Sequence, residues 1–367
     1  MTCRKLGALP LPGGERVGVR GRVTLDTLVP PHPARCARRP LPTGERWSKW
    51  HRLRSTLAIC ATILATPASS QTVSIVTTPA GSYTNSVGAA VAKVIFDKAR
   101  IRAVVQPQAT IGFDEVESGG AEFNVSNAFD AAFFATGSGD YEGRGAKKNL
   151  RLVGALLPFR VAMHVRADST IQTMAELKGK RVPAGFVAQK TVARTIEAHL
   201  ATAGLTYNDV VKIPAPNVAS ANQDFSAGKV DTIYFALGSG TGKQAAASVG
   251  GLRVLEIDTA PDAIKRLQAI LPGAYVMRVD PEPGLDGIAR PTNIVAFDMV
   301  LNTSAAVPDE VVYKVAKALF ESPAELAATF APFKLFVPRQ MAKLLPEVPM
   351  HPGALRFYRE AGLRPNP

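Results

Sequence analysis

Residues 236–244 read ALGSGTGKQ, a glycine-rich run that closes on Lys243. Such loops cradle phosphates when backbone N–H groups curl around the anion, a lysine reaches the outer oxygens and a hydroxyl holds magnesium, at the spacing G-x-x-x-x-G-K-[ST]. Here the first glycine of that spacing falls on Leu237 and the hydroxyl on Gln244. The run is therefore expected to be a flexible loop after the strand DTIYFA, its small residues admitting a close approach by a ligand that is not ATP. Catalytic chemistry is thinly supplied elsewhere. His164, His199 and His351 lie far apart, and His199 sits beside the apolar face of its own helix. No HExxH, CxxC or GxSxG motif occurs, and Asp114, Glu115 and Glu117 read as the solvated face of a short helix. No metal, cofactor or enzymatic activity is expected.

Binding is better served. Three segments, PAGSYTN, GFVAQKT and LGSGTGK, follow predicted strands and precede predicted helices, and all carry small or hydroxylic residues. Free N–H groups and the positive end of a helix dipole at such places suit an anion, and this edge of an open α/β sheet is where ligands lie. Each segment alone is equally a turn or a cap, as Thr191 would be at the start of its helix. Together they outline a cleft suited to a carboxylate.

The elements that must position these loops follow from pattern. TVSIVTT (72–78), RAVVQPQ (102–108), LKGKRVPAG, VVKIPAPN, DTIYFAL and LRVLEID read as strands. Helices separate them, with Val87, Val91, Val94 and Ile95 on one face and Val192, Ile196 and Leu200 on another,. The segment NLRLVGALLPFRVAMHVR is long and apolar, the pattern restarts near His164, and PTNIVAFDMVLN (291–302) looks like a return strand before a helix from Asp309. This alternation predicts an α/β chain with parallel strands, in two lobes joined by two crossings. Residues 71–160 and 290–367 would form the first lobe and 161–289 the second.

Composition limits the rest. The chain has 367 residues and a formal net charge of +13, but residues 1–70 hold 12 Lys and Arg against 3 Asp and Glu, leaving 31 against 27 for the remainder. The basic character therefore belongs to the leader and gives no ground for a nucleic-acid partner. All three cysteines, Cys3, Cys36 and Cys60, also precede residue 71. Residues 46–70 place Arg52 and Arg54 before the apolar run Leu57–Ala65 and then small residues, the order of a secretory signal, with cleavage expected near Ala68–Ser70,. Residues 1–45, rich in Pro, Gly and Arg, carry no periodic apolar face and read as a mis-assigned start or a disordered leader.

On these residues the chain from about 72 to 363 resembles the TAXI-type solute receptors of tripartite ATP-independent periplasmic (TRAP) transporters. The resemblance is carried by AGSYTNSVGAAVAKV, SGGAEFNVSNAFDA, MAELKGKRVPAG, VPDEVVYKVAKAL and the closing HPGALRFYREAGL. It implies the two-lobed fold of type II periplasmic binding proteins, a periplasmic location, a small organic anion as ligand and TRAP membrane permease subunits as partners. Gly81, Ser82 and Tyr83 match the family's loop after the first strand, while Thr84 stands where many members have a second tyrosine. Ser126 and Asn127 match the polar segment lining the first lobe's side. Gln189, Lys190 and Thr191 occupy a helix start where many members carry Ser-Gly-Thr, and Lys190 adds a cation that would pair with a ligand carboxylate. Phe235, Gly238 and Ser239 would form the second lobe's loop at the cleft mouth, and Arg160 would lie near the first crossing. A periplasmic sensor and an enzyme on the same scaffold are the alternatives, since fold does not fix function.

Overall fold

The computed structural model describes residues 72–187 and 189–364. The expected leader and signal segment lie outside the described residues. Three strands, β1 (Thr72–Thr77), β2 (Arg102–Pro107) and β3 (Phe123–Asn127), pair in parallel, and between them run α1 (Tyr83–Val94) and α2 (Phe113–Ser118). After β3 the chain turns at once into α3 (Ala128–Thr136). The long apolar segment is then a single strand, β4 (Leu150–Arg166), 17 residues long and buried almost throughout. A near-continuous apolar run of this kind marks a strand covered on both faces.

The middle of the chain supplies β5 (Arg181–Gly185), α4 (Lys190–Thr202), β6 (Val211–Ala215), α5 (Val218–Ser226), β7 (Ile233–Ala236), α6 (Gly240–Val249), β8 (Leu252–Val254), α7 (Pro261–Ile270) and β9 (Tyr275–Val279). The return strand is β10 (Thr292–Ser304), followed by α8 (Asp309–Phe320), α9 (Pro323–Thr329) and α10 (Pro352–Glu360). One mixed sheet runs β2-β1-β3-β10-β4-β7, with β8 on β4 and β9 on β10, while β5 and β6 pair in parallel by themselves.

The long strands β4 and β10 serve two main cores, with Ala162 and Ile294 in a third, smaller cluster. Leu150–Leu157 of β4 and Met299–Leu301 of β10 pack with β1, α1, β3, α8 and α10. Val161, Met163 and Val165 of β4, with Val295 and Phe297 of β10, pack instead with β5, α4, β7 and α7. The handover thus falls inside the strands, between Leu157 and Val161 on one and between Phe297 and Met299 on the other. Antiparallel pairing of β4 with β10 continues through it, with a register shift between Asp298 and Val300. This is a two-lobed α/β fold whose lobes are joined by two strands.

The closing HPGA motif has a structural cause. His351 caps α10: its Nδ1 accepts from the Gly353 N–H at 3.1 Å, so Nε2 carries the proton and donates to the Val307 carbonyl at 3.0 Å. A Cβ on Gly353 would stand 2.2 Å from the Asp309 carbonyl oxygen, so glycine alone allows α10 to meet the start of α8. Tyr358 of the same helix donates to the Val153 carbonyl at 2.8 Å, inside the first core. No helix among the described residues is long and apolar enough to cross a membrane.

Candidate functional site

The three segments singled out by pattern follow β1, β5 and β7, the residues the resemblance added stand at the end of β3, and each strand end leads within a few residues into a helix, respectively α1, α4, α6 and α3. After β1, Gly81 takes φ +81°, a left-handed conformation that favours glycine, and its would-be Cβ meets no atom within 4 Å,. Ser82 caps α1, accepting from the Asn85 N–H at 3.2 Å and from the Thr78 hydroxyl at 2.8 Å. The Thr78 hydroxyl also contacts that of Thr84, and Asn85 Nδ2 donates to Thr77 Oγ1 at 3.0 Å. The hydroxyls of this loop are therefore engaged with one another. Tyr83 turns its ring onto Phe159 (4.4 Å between centroids) and Phe330 (5.1 Å). Burial raises its phenol well above the ordinary range, and the positive charge of Arg160 opposes that shift. The Arg160 side chain is half-buried on β4, and among the described residues it makes no hydrogen bond or ion pair.

After β3, Ser126 is only 1% exposed, and its hydroxyl accepts from Asn302 Nδ2 at 2.9 Å while donating to the Asn127 carbonyl at 3.1 Å. It faces the sheet interior. Asn127 caps α3: Oδ1 accepts from the Asp130 N–H and Nδ2 donates to Asp130 Oδ2, both at 2.9 Å. Asp130, 1% exposed, also accepts from the Thr191 hydroxyl of α4 at 3.0 Å. Beside this contact, Arg194 of α4 pairs with Asp140 at 2.8 Å and lies 4.8 Å over the Phe133 ring. These side chains join the first turns of α3 and α4, and both helices contribute to the second core, α3 through Phe129 and α4 through Ile196 and Leu200.

The turn after β5 is conformationally costly. Gly185 has φ +97° and Phe186 φ +30° with its ring fully buried, an outlier for a bulky residue,. Val187 beyond it is 76% exposed. Gln189 Oε1 accepts from the Val218 N–H at 2.8 Å and so ties this turn to the start of α5. Lys190 is exposed and opens α4. Thr191 does not cap the helix; its hydroxyl is the donor to Asp130. After β7, Phe235 is 2% exposed, with its ring 5.5 Å from His164 in the second core. Gly238 takes φ +73°, and Ser239 caps α6 by accepting from the Gly242 N–H at 3.1 Å. The glycines of GSGTG thus serve a turn and a cap.

The structure joins Asn127 to Thr191 through Asp130, and it sets Tyr83 within the electrostatic reach of Arg160. Phe235 and Ser126 point into packed interior. Sequence reasoning passed over Asp130, Asp140 and Arg194. The first carried a signal, since Asn127 and Asp130 have the spacing of a reciprocal helix cap. The carboxylates of α2 are not all solvated either: Glu117 accepts from the N–H groups of Lys148, Asn149 and Leu150. His199 is fully buried, with Nδ1 on the Thr195 carbonyl at 2.7 Å.

Two cavities lie elsewhere. One of about 260 Å³ adjoins Asp298, Lys343 and Ala155. The other, of about 520 Å³ and open to solvent, adjoins Arg266, Arg290 and Glu256. No cluster of three metal-ligating side chains occurs among the described residues.

The fold defines a class. Residues 75–362 match the NMT1-like family, and the chain belongs to it. A solved structure of the periplasmic binding protein BugD is similar in fold, with a TM-score of 0.51 at 15% identity, covering 81% of this chain and 99% of that one. A structure described as a periplasmic transporter matches with a TM-score of 0.50 at 14% identity, over 80% of this chain and 94% of that one. The chain therefore has the two-lobed fold of periplasmic binding proteins.

Proposed function

We propose that this protein is an exported solute receptor of the TAXI type. It would bind a small organic anion, a carboxylate or an amino acid, between its lobes and deliver it to TRAP membrane permease subunits driven by an ion gradient. Residues 71–160 with 290–367, and residues 161–289, form the two lobes in this reading, and residues 46–70 direct export to the periplasm. The observation that carries it is the meeting of α3 and α4 at strand ends where helix N-termini present N–H donors to an anion,.

The roles divide by what each group has free. Arg160, with no acidic partner among the described residues, supplies positive charge for the ligand's carboxylate, and Lys190 adds a second cation at the rim,. Tyr83 and its aromatic neighbours form the apolar wall. Gly81, Gly238 and Gln189 shape turns, and Ser82, Asn127 and Ser239 hold the helix starts in place as caps. Ser126 and Phe235 support from beneath. A ligand that prefers the closed arrangement shifts the population toward it. No catalytic step is proposed.

The test is thermal unfolding of the purified protein, freed of carried-over ligand by unfolding and refolding, against amino acids, dicarboxylates, keto acids and aromatic acids, with ATP as control. A ligand at about a hundred times its Kd adds roughly 2.7 kcal/mol, which at about 2–4 °C per kcal/mol is a midpoint shift of several degrees. One acid shifting the midpoint, and Arg160→Gln abolishing the shift, is the expected outcome. No shift with any acid, or a shift with ATP alone, sinks the receptor reading.

A further inference from the structure

The strands that serve both cores leave a break where they pass from one to the other. β4 pairs with one edge of β10 from Val295 to Ser304. The opposite edge is shared: β3 pairs from Met299 onward, and β9 only as far as Ala296. Phe297 and Asp298 therefore have no strand on that side among the described residues. At this break lies the cavity of about 260 Å³, bordered by Ala128 at the start of α3 and by the turn Pro272–Gly273 ahead of β9.

Its walls come from both cores. Leu152 and Val300 belong to the first, and Leu345 packs on it. Pro272 and Gly273 stand between Leu271 and Ala274, which are buried in the second. The lining is mostly apolar, and its charges are not alike in what they have free. Asp298 is committed, accepting from the Tyr275 hydroxyl at 2.8 Å and from Lys343 Nζ at 2.7 Å. Glu347, exposed at the rim, makes no hydrogen bond or ion pair among the described residues. An entering anion would meet two carboxylates and a lysine already paired. A cation would find one carboxylate unengaged.

Size narrows the choice further. A dry apolar cavity of roughly 150 Å³ holds a benzene ring, so the space here admits a ring with a short arm. We propose that this cavity is a second ligand site, apart from the strand-end cleft, and that it takes a small arylalkyl ammonium ion. The ring lies among Leu152, Val300 and Leu345, and the nitrogen reaches Glu347 at the rim. The assignment stands apart from the receptor reading, since it uses no residue to which that reading gives a role. An occupant touches both cores, so it stabilises the arrangement in which they meet.

Ligand-detected NMR titration of the purified protein with phenethylamine at pH 7 tests this, because it reads weak affinities. Saturable binding is expected, together with a raised thermal midpoint. 2-Phenylethanol, the same body without the charge, should bind roughly two- to fivefold more weakly, the scale of one exposed ion pair. Phenylacetate should not bind. Glu347→Gln, a change at an exposed position, should bring the amine down to the affinity of the alcohol and leave the alcohol where it was. Ala155→Leu places extra carbons in the cavity and should abolish binding of both, with cooperative melting as the check on folding; Leu344→Trp, at a half-exposed wall, is the second filling variant should the first not fold. Absence of binding by both amine and alcohol overturns the proposal. So does phenylacetate binding as tightly as the amine, or an amine preference that survives Glu347→Gln. Binding that persists in a folded filling variant overturns it as well, since the ring would then lie outside the cavity.

Discussion

Buried histidines and one buried carboxylate give folding pH dependences of opposite sign. His164 lies in the second core with Nδ1 at 3.1 Å from the Ala162 carbonyl, and burial lowers its imidazole to about 4; His199 is lowered for the same reason. Between the ordinary value near 6.5 and about 4, the unfolded chain binds the proton and the folded one does not. Stability therefore falls as pH drops through that window, by about 3 kcal/mol for His164 alone if the whole shift is realised. Asp130 acts the other way, because its raised carboxyl makes the folded state the better proton binder between about 4 and 6. Urea unfolding of native protein and His164→Phe at pH 7 and pH 4.5 is expected to show a smaller loss in the variant; equal losses would show that His164 protonates without unfolding. At this scale the sequence was partly legible. Ser82, Asn127 and Ser239 were visible as hydroxylic or amide residues before helices, and all three are caps. That Phe235 turns into the core while Tyr83 stays half-exposed depends on neighbours that no local spacing reveals.

Single elements were the most legible features. Alternation and 3.6-residue periodicity marked β1, α1, β10 and α8, and the uninterrupted apolar run of 150–166 belongs to a strand buried on both faces. The motif at 351–354 was noticed as a pattern, and its reason is a helix meeting α8 at a distance only glycine permits. Gly353→Ala is expected to destabilise by about 1–3 kcal/mol, the usual cost of overpacking, since a Cβ would stand 2.2 Å from a backbone oxygen that cannot swing away. Chemical denaturation reads this directly, and a change below about 0.5 kcal/mol would mean that α10 shifts freely. Ser239→Ala removes the cap of α6 and should cost about 1 kcal/mol.

For the whole molecule, the two cores communicate through β4 and β10. Asp298 stands at the handover on β10, accepting from the Tyr275 hydroxyl at 2.8 Å and from Lys343 Nζ at 2.7 Å, with Lys343 5.1 Å over the Tyr275 ring. Tyr275 opens β9 beside the second core, and Lys343 follows Met341 and Ala342 of the first. Asp298→Ala removes the acceptor shared by both sides. Scanning calorimetry is expected to show one cooperative transition in the native protein and a broadened or split one in the variant, with a van 't Hoff enthalpy below the calorimetric value. A single sharp transition merely lowered in midpoint would place the coupling in the strands alone.

The sequence by itself determined the α/β alternation, the return strand at 291–302 and the expectation of a two-lobed binding-protein fold, because these follow from local periodicity and from motifs whose members lie within a few residues of one another. Only the tertiary structure decided that Asp130 meets Thr191, 61 residues away, that Arg194 reaches Asp140 and that Asp298 gathers Tyr275 and Lys343. Periodicity tells which face of an element is buried but not which distant element covers it. That choice is made when two cores pack along shared strands, and it is where the groups of the candidate site acquire their partners.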